Sequence, residues 1–230
     1  MPGKQDHARI DALRQAIARL EGAASPVGRE TISSGWSGLD RILPGGGFRS
    51  GTLVEWLFAG DGTGAATLAL SAARQAGRDG GGVIVVDGSR EFYPPAAVRL
   101  GIAAAQLIVI HVEGKADHHW ALDQALRCPA VAAVVAWPDA VAGKLDGRTF
   151  RRLQLAVEEG GGLGLLIRPE SVRDEPSWAD VRLLVEPLPS NSPYGRKRRI
   201  KVLLLRCRGA AARRPIELEI DDDANPVSVV

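Results

Sequence analysis

No run of about twenty apolar residues occurs along this chain, so no segment is expected to cross a membrane as a helix. Cysteine is nearly absent. Cys128 and Cys207 form neither a disulfide framework nor a metal-ligand pattern, and a reducing cytoplasm suits them. Charge of one sign is also missing: with a formal net charge of +2 the chain is not a polycation, and any contact with nucleic acid must come from a local basic cluster. The first residues, Met1 to His7, lack the apolar core of a signal peptide, so a cytoplasmic protein is expected. No serine-centred G-x-S-x-G elbow points to a hydrolase. Aromatic residues show no regular interleaving that would mark a base-stacking surface. His118 and His119 are adjacent on a predicted helix and point in different directions. They are expected to be surface residues rather than a two-ligand metal site.

What remains is an ordinary globular composition, 45% hydrophobic and 24% charged over 230 residues, enough for one large domain with a sizeable core. Three regions are expected: residues 1–27 as a helix and linker, 28–190 as the core, and 191–230 as a basic loop, edge strands and a tail. In the first, Ile10, Leu13, Ile17 and Leu20 recur at helical spacing over Asp6 to Glu21. This stripe packs either on its own domain or on a neighbouring chain, and marks a candidate surface for self-association or partner binding.

From Ile32 onward, short apolar runs alternate with helical segments. Strands are predicted at Thr52–Ala59, Val83–Val86, Leu107–Ile110, Val131–Trp137 and Gly164–Ile167, with helices between them. Such alternation implies an α/β fold with a mainly parallel twisted sheet and helices on both faces. Strands at Val181–Val185, Ile200–Cys207 and Pro215–Ile220 follow with short connections, and are expected to add antiparallel to one edge.

The chemistry-bearing segment is Phe58-Ala-Gly-Asp-Gly-Thr-Gly-Ala-Ala-Thr-Leu68, a strand end, a glycine loop and a helix start. Backbone amides in such a loop can hold phosphate. Two templates fit. Gly60-x-Gly62-x-x-Ala65, with Asp87 at a later strand end, matches the dinucleotide fingerprint and would make the chain a nucleotide- or dinucleotide-binding enzyme. Alternatively the loop is a depleted P-loop, with Gly64 as its last glycine, Ala65 at the lysine position and Ala66 at the magnesium-binding hydroxyl.

The surrounding order of motifs favours the second. Ile32-Ser-Ser-Gly…Leu39-Asp40, then Gly45-Gly-Gly…Gly51, then Leu53-Val-Glu-Trp56 and the loop, resembles the entry to a RecA core. Placed on that pattern, the catalytic glutamate falls at Ser89 and the Walker B aspartate at Trp137. Asp139 is near in sequence but separated by Pro138. With all four positions altered, no nucleotide turnover and no cofactor are expected. The short length, the N-terminal helix, and the ending Leu203-Leu-Leu-Arg-Cys-Arg-Gly209 followed by Pro215-Ile-Glu-Leu-Glu-Ile220 resemble the ImuA family. That resemblance implies a bacterial, damage-induced (SOS) role in translesion synthesis. It also implies an ImuB-like inactive Y-family polymerase homologue and an error-prone DnaE-type polymerase assembly as partners, with nucleoid association when engaged.

One dense basic run, Arg196-Lys-Arg-Arg199, is either a solvated hairpin tip or a site of sequence-independent contact with single-stranded DNA. Of the tryptophans, Trp178 is expected to be the one exposed for a partner.

Overall fold

The computed structural model describes residues 30–60, 62–139, 144–189, 197–208, 215–221 and 226–227. The predicted N-terminal helix with Ile10, Leu13, Ile17 and Leu20, its linker, and Arg196 lie outside the described residues.

Two short strands, β1 (Thr31–Ile32) and β2 (Phe48–Arg49), pair antiparallel around the helix α1 (Ser37–Ile42). The Leu53-Val-Glu-Trp-Leu-Phe run then forms β3 (Thr52–Phe58), buried along almost its whole length, as a strand flanked on both faces must be. After the glycine loop comes α2 (Ala65–Ala76), whose alanines let it lie close to the sheet. The chain continues through β4 (Gly82–Asp87), α3 (Pro94–Arg99), β5 (Leu107–His111), α4 (Lys115–Arg127), β6 (Val131–Ala136), α5 (Gly147–Gly160) and β7 (Leu163–Pro169). It ends in β8 (Val181–Leu188), β9 (Lys197–Cys207), β10 (Ile216–Asp221) and β11 (Pro226–Val227).

These strands form one nine-stranded sheet in the order β11-β10-β9-β8-β3-β7-β6-β4-β5. The five pairings among β3 to β8 are parallel, and β9, β10 and β11 add antiparallel. The expected α/β architecture holds, with one correction. The first of the three C-terminal strands, β8, runs parallel to β3, in the register Val54↔Val181, rather than antiparallel. Residues 170–180 carry the chain back to the start of the sheet, where Asp180 fixes the entry. Its backbone NH donates to the Leu53 carbonyl at 2.8 Å, and its carboxylate accepts from the Leu53 NH at 3.0 Å.

The core has two main halves. One lies between the sheet, α1 and α2, and includes the inward side chains of β9 and β10. The other lies between the opposite face, α4 and α5. His118 and His119 are buried in α4 instead of lying on the surface as expected. His118 shares its helix face with Leu122 and Ala125 at positions i+4 and i+7, and that face turns inward. Trp120, on the outer side of the same helix, is 65% exposed, more than Trp178 at 44%.

Candidate functional site

The glycine loop adopts the backbone shape its composition permits. Gly60, Gly62 and Gly64 have φ of 93°, 69° and 84°, in the left-handed region that glycine enters without a Cβ penalty. Gly64 is the N-cap of α2 and offers no side-chain cap, so the first amides of the helix face the space beyond it. An anion would have to rest there.

At Gly64 the loop is closely packed by the protein itself, whereas a Cβ on Gly60 or Gly62 would meet nothing within 4 Å. A Cβ placed on Gly64 would meet Ile220 Cδ1 at 3.0 Å and Ile200 Cδ1 at 3.8 Å. Ile200 on β9 and Ile220 on β10 are buried in the same core half as α2. Thr63 and Ala65 are buried too, and Ala66 packs on that core from its edge. The loop therefore presents methyl groups where a phosphate-binding loop presents a lysine and a hydroxyl.

The basic run reaches the same place. Arg198 donates from its guanidinium to the Gly62 carbonyl at 3.4 Å. Strand alternation sends its neighbours to the other face, where Lys197 pairs with Glu219 at 2.9 Å and Arg199 with Glu217 at 2.6 Å. So the structure brings Gly62, Gly64 and Arg198 together, and separates Arg198 from Lys197 and Arg199.

Ser89 and Trp137 stand at the ends of neighbouring strands, β4 and β6. Ser89 Oγ donates to Asp87 at 3.2 Å, and Trp137 packs against Phe92 with ring centroids 6.1 Å apart. Asp87 itself is 2% exposed and holds its own loop: it accepts from the amides of Arg90 at 2.8 Å and Phe92 at 3.0 Å. A carboxylate so engaged is not presented to a ribose, which counts against the dinucleotide template.

Sequence reasoning missed a buried ion network on the opposite face of the sheet. Arg168 on β7 holds Glu55 of β3 at 2.6 Å and grips Asp139 through Nε at 2.6 Å and Nη2 at 3.0 Å. Arg182 of β8 meets the second Glu55 oxygen at 2.6 Å, and Ser177 Oγ donates to it at 2.9 Å. Burial works against the Arg168 charge, but the hydrogen bonds and attraction of Asp139, with Glu55 adding to them, hold its pKa above the ordinary arginine value. The only sequence signal was a glutamate in the middle of an apolar strand. Asp139, the carboxylate nearest the Walker B position, is thus committed to Arg168 beside the Phe150 ring of α5, away from the glycine loop. Among the described residues no group of three or more histidine, cysteine, aspartate or glutamate side chains is disposed to hold a metal ion. No helix among them is long and apolar enough to cross a membrane.

The sheet order, the glycine turn between β3 and α2 and the antiparallel C-terminal strands define a RecA-like α/β domain. In agreement, the family model described as the RecA N-terminal domain matches residues 11–144. Protein RecA of Porphyromonas gingivalis (strain ATCC 33277) is 29% identical over 146 residues, 59% of this chain and 43% of that protein. Protein ImuA of Caulobacter vibrioides (strain NA1000) is 34% identical over 201 residues, 77% of this chain and 79% of that protein. The chain belongs to the ImuA family within the RecA superfamily.

Proposed function

We propose that this protein is a non-catalytic, RecA-like accessory factor of DNA-damage-induced translesion synthesis, acting by binding partner proteins and not by turning over nucleotide. One observation carries the reading: Ile200 and Ile220 pack against Gly64 at the N-terminus of α2, putting methyl groups next to the amides on which a nucleotide's phosphates would have to rest. A phosphate there would lose its hydration against methyl groups with no lysine in return. Ala65, Ala66, Ser89 and Trp137 at the four catalytic positions support the same conclusion.

Membership of the ImuA family supports the rest of the assignment. The partners are an ImuB-like inactive Y-family polymerase homologue and an error-prone DnaE-type polymerase, met in the bacterial cytoplasm at damaged DNA. Arg198, within the basic run, adds a direct, weak contact with single-stranded DNA.

The decisive test is a thermal unfolding series with ATP, ADP, NAD and NADP, each with magnesium. A ligand at about 100 times its Kd adds about 2.7 kcal/mol to stability, and no such shift is expected here. Ala65→Lys with Ala66→Thr should still give no ATP hydrolysis, and the lysine should destabilise the fold because position 65 is buried. Magnesium-dependent ATP turnover by the unaltered chain, lost on changing Gly64, would overturn the proposal.

A further inference from the structure

The outer face of α5 is only partly engaged by the rest of the fold: Arg152 and Glu159 pair with Asp123 and Arg127 of α4, and Glu158 with Arg208. Leu155 is 43% exposed there, with Arg148 and Arg152 on the same face. Beside it the Arg151 guanidinium lies 4.8 Å from the centre of the exposed Trp178 ring. Arg151 also donates to Gln154, and Arg206 donates to the Ser177 carbonyl at 2.6 Å. Neither arginine has a carboxylate partner among the described residues. The order of charge along α5 also opposes its own dipole. Arginines fill its first turns and Glu158 and Glu159 its last, with no acid in the first turn and no base in the last. A neighbouring element with the reverse order would match it.

The chain's own N-terminal segment has that order and arrives at the right end. Residues 1–29 join the core at Glu30, whose carbonyl accepts from the Ser50 NH at 2.9 Å. The next residue, Gly51, donates to the carbonyls of Gly161 at 2.9 Å and Gly162 at 2.8 Å, just past the C-terminus of α5. We infer that the helix predicted over Asp6–Glu21 lies along the outer face of α5 in the same chain. It runs parallel to α5, with the stripe of Ile10, Leu13, Ile17 and Leu20 covering Leu155 and Trp178.

Length, connection and charge agree on this placement. At about 1.5 Å per residue a helix over residues 6–21 is about 24 Å long and α5 about 21 Å. Residues 22–29 reach up to about 27 Å when extended, ample for the link. The parallel orientation sets Leu20 and Glu21 at the end of α5 where the chain enters. It also sets Asp6 and Asp11 beside Arg148 and Arg151, whereas Arg152, Glu158 and Glu159 are already paired with Asp123, Arg208 and Arg127 respectively. Arg9 and Glu21 are the two charges that stand against this order.

The full chain carrying Leu13→Cys and Leu155→Cys tests this. Oxidised while dilute, it should form a disulfide between positions 13 and 155 in a particle of monomer mass, located by peptide mapping. Leu13→Cys with Val98→Cys, exposed over the other half of the core, should not. Leu20→Cys should pair with Glu159→Cys and not with Arg148→Cys. A 13–155 bond found only at dimer mass would transfer the helix to a second copy and overturn the inference. So would equal yields at positions 155 and 98, or pairing of position 20 with 148 in place of 159. The unsubstituted chain gives an independent reading by hydroxyl-radical footprinting. Trp178 should be oxidised several-fold less than Trp120, and Leu13→Asp with Ile17→Asp should bring the two close together. Similar oxidation of both tryptophans in the unsubstituted chain would defeat the placement.

Discussion

Ile220 Cδ1 stands 3.0 Å from the point where a Cβ on Gly64 would lie, and the φ of Gly64 is +84°. The glycine at the head of α2 is therefore required twice, for its backbone conformation and for the isoleucine packed over it. Gly64→Ala is expected to lower the unfolding free energy by about 2 to 4 kcal/mol, combining the left-handed penalty with overpacking. Gly60→Ala shares the positive φ, +93°, but meets nothing within 4 Å. It should cost only the backbone part, about 1 to 2 kcal/mol. Urea unfolding of the two variants measures the difference. Equal losses would mean that β10 does not press on the loop.

The basic run is divided by strand alternation, and DNA binding should divide with it. Arg198→Ala is expected to flatten the slope of log affinity against log salt by about 0.7 on single-stranded DNA, the value of one lost phosphate contact. Lys197→Ala and Arg199→Ala should change it less, because Glu219 and Glu217 already hold those charges. Titrations across a salt series on oligonucleotides of different sequence distinguish these outcomes. An unchanged slope in Arg198→Ala would remove that residue from any DNA contact.

The buried network predicts a large local cost. Arg168→Met leaves Glu55 with Arg182 and Ser177, and leaves Asp139 without its guanidinium partner. Breaking a buried pair by removing one member typically costs about 3 to 5 kcal/mol. Arg78→Met, at an exposed pair 3.9 Å from Asp79, should change stability by no more than about 1 kcal/mol. Comparable effects for the two, read by chemical denaturation, would show that the network is solvated.

The strand–helix alternation was readable because parallel strands covered on both faces must be apolar from end to end. Val83–Val86 and Leu165–Ile167 have little other use for such composition. The direction of β8 was not readable, since it depends on where residues 170–180 lead, and Asp180 bonds to Leu53 across 127 positions of sequence. Glu55 and Arg168 are 113 positions apart, so neither announces the other. The glycine loop shows the same division. Its missing lysine and hydroxyl are plain at Ala65 and Ala66, whereas its packing at Gly64 by Ile200 and Ile220 follows only from the antiparallel return of β9 and β10 over α2. His118 was misplaced for a simpler reason: the rule that places histidine outside yields to a helix face otherwise made of Leu122 and Ala125.

That misplaced pair gives the last prediction. His118 is fully buried, and neither of its ring nitrogens has a hydrogen-bond partner among the described residues. Burial first, and then the neighbouring His119, hold its pKa below the ordinary value. Burial does the same for His119, reinforced by Lys115 and Arg152 and opposed by Asp146. In the unfolded chain both should titrate near about pH 6.5. Above that pH both are neutral in either state and contribute no pH dependence. As the pH falls below it, the unfolded chain takes up protons that the folded chain refuses. Stability should then decline, by at most about 1.4 kcal/mol per pH unit for each histidine, until the lower folded pKa is reached. The carboxylates titrate in any variant, so the histidine share is isolated by subtraction. His118→Leu should be close to neutral at about pH 7.5, since it removes two buried nitrogens that make no bonds. It should be clearly more stable than the unaltered chain at about pH 5, where the histidine is opposed by protonation of the unfolded state. Urea unfolding of both chains at the two pH values supplies the comparison. A stability difference that is the same at both would mean that His118 is protonated alike in the folded and unfolded states, and hence is open to water.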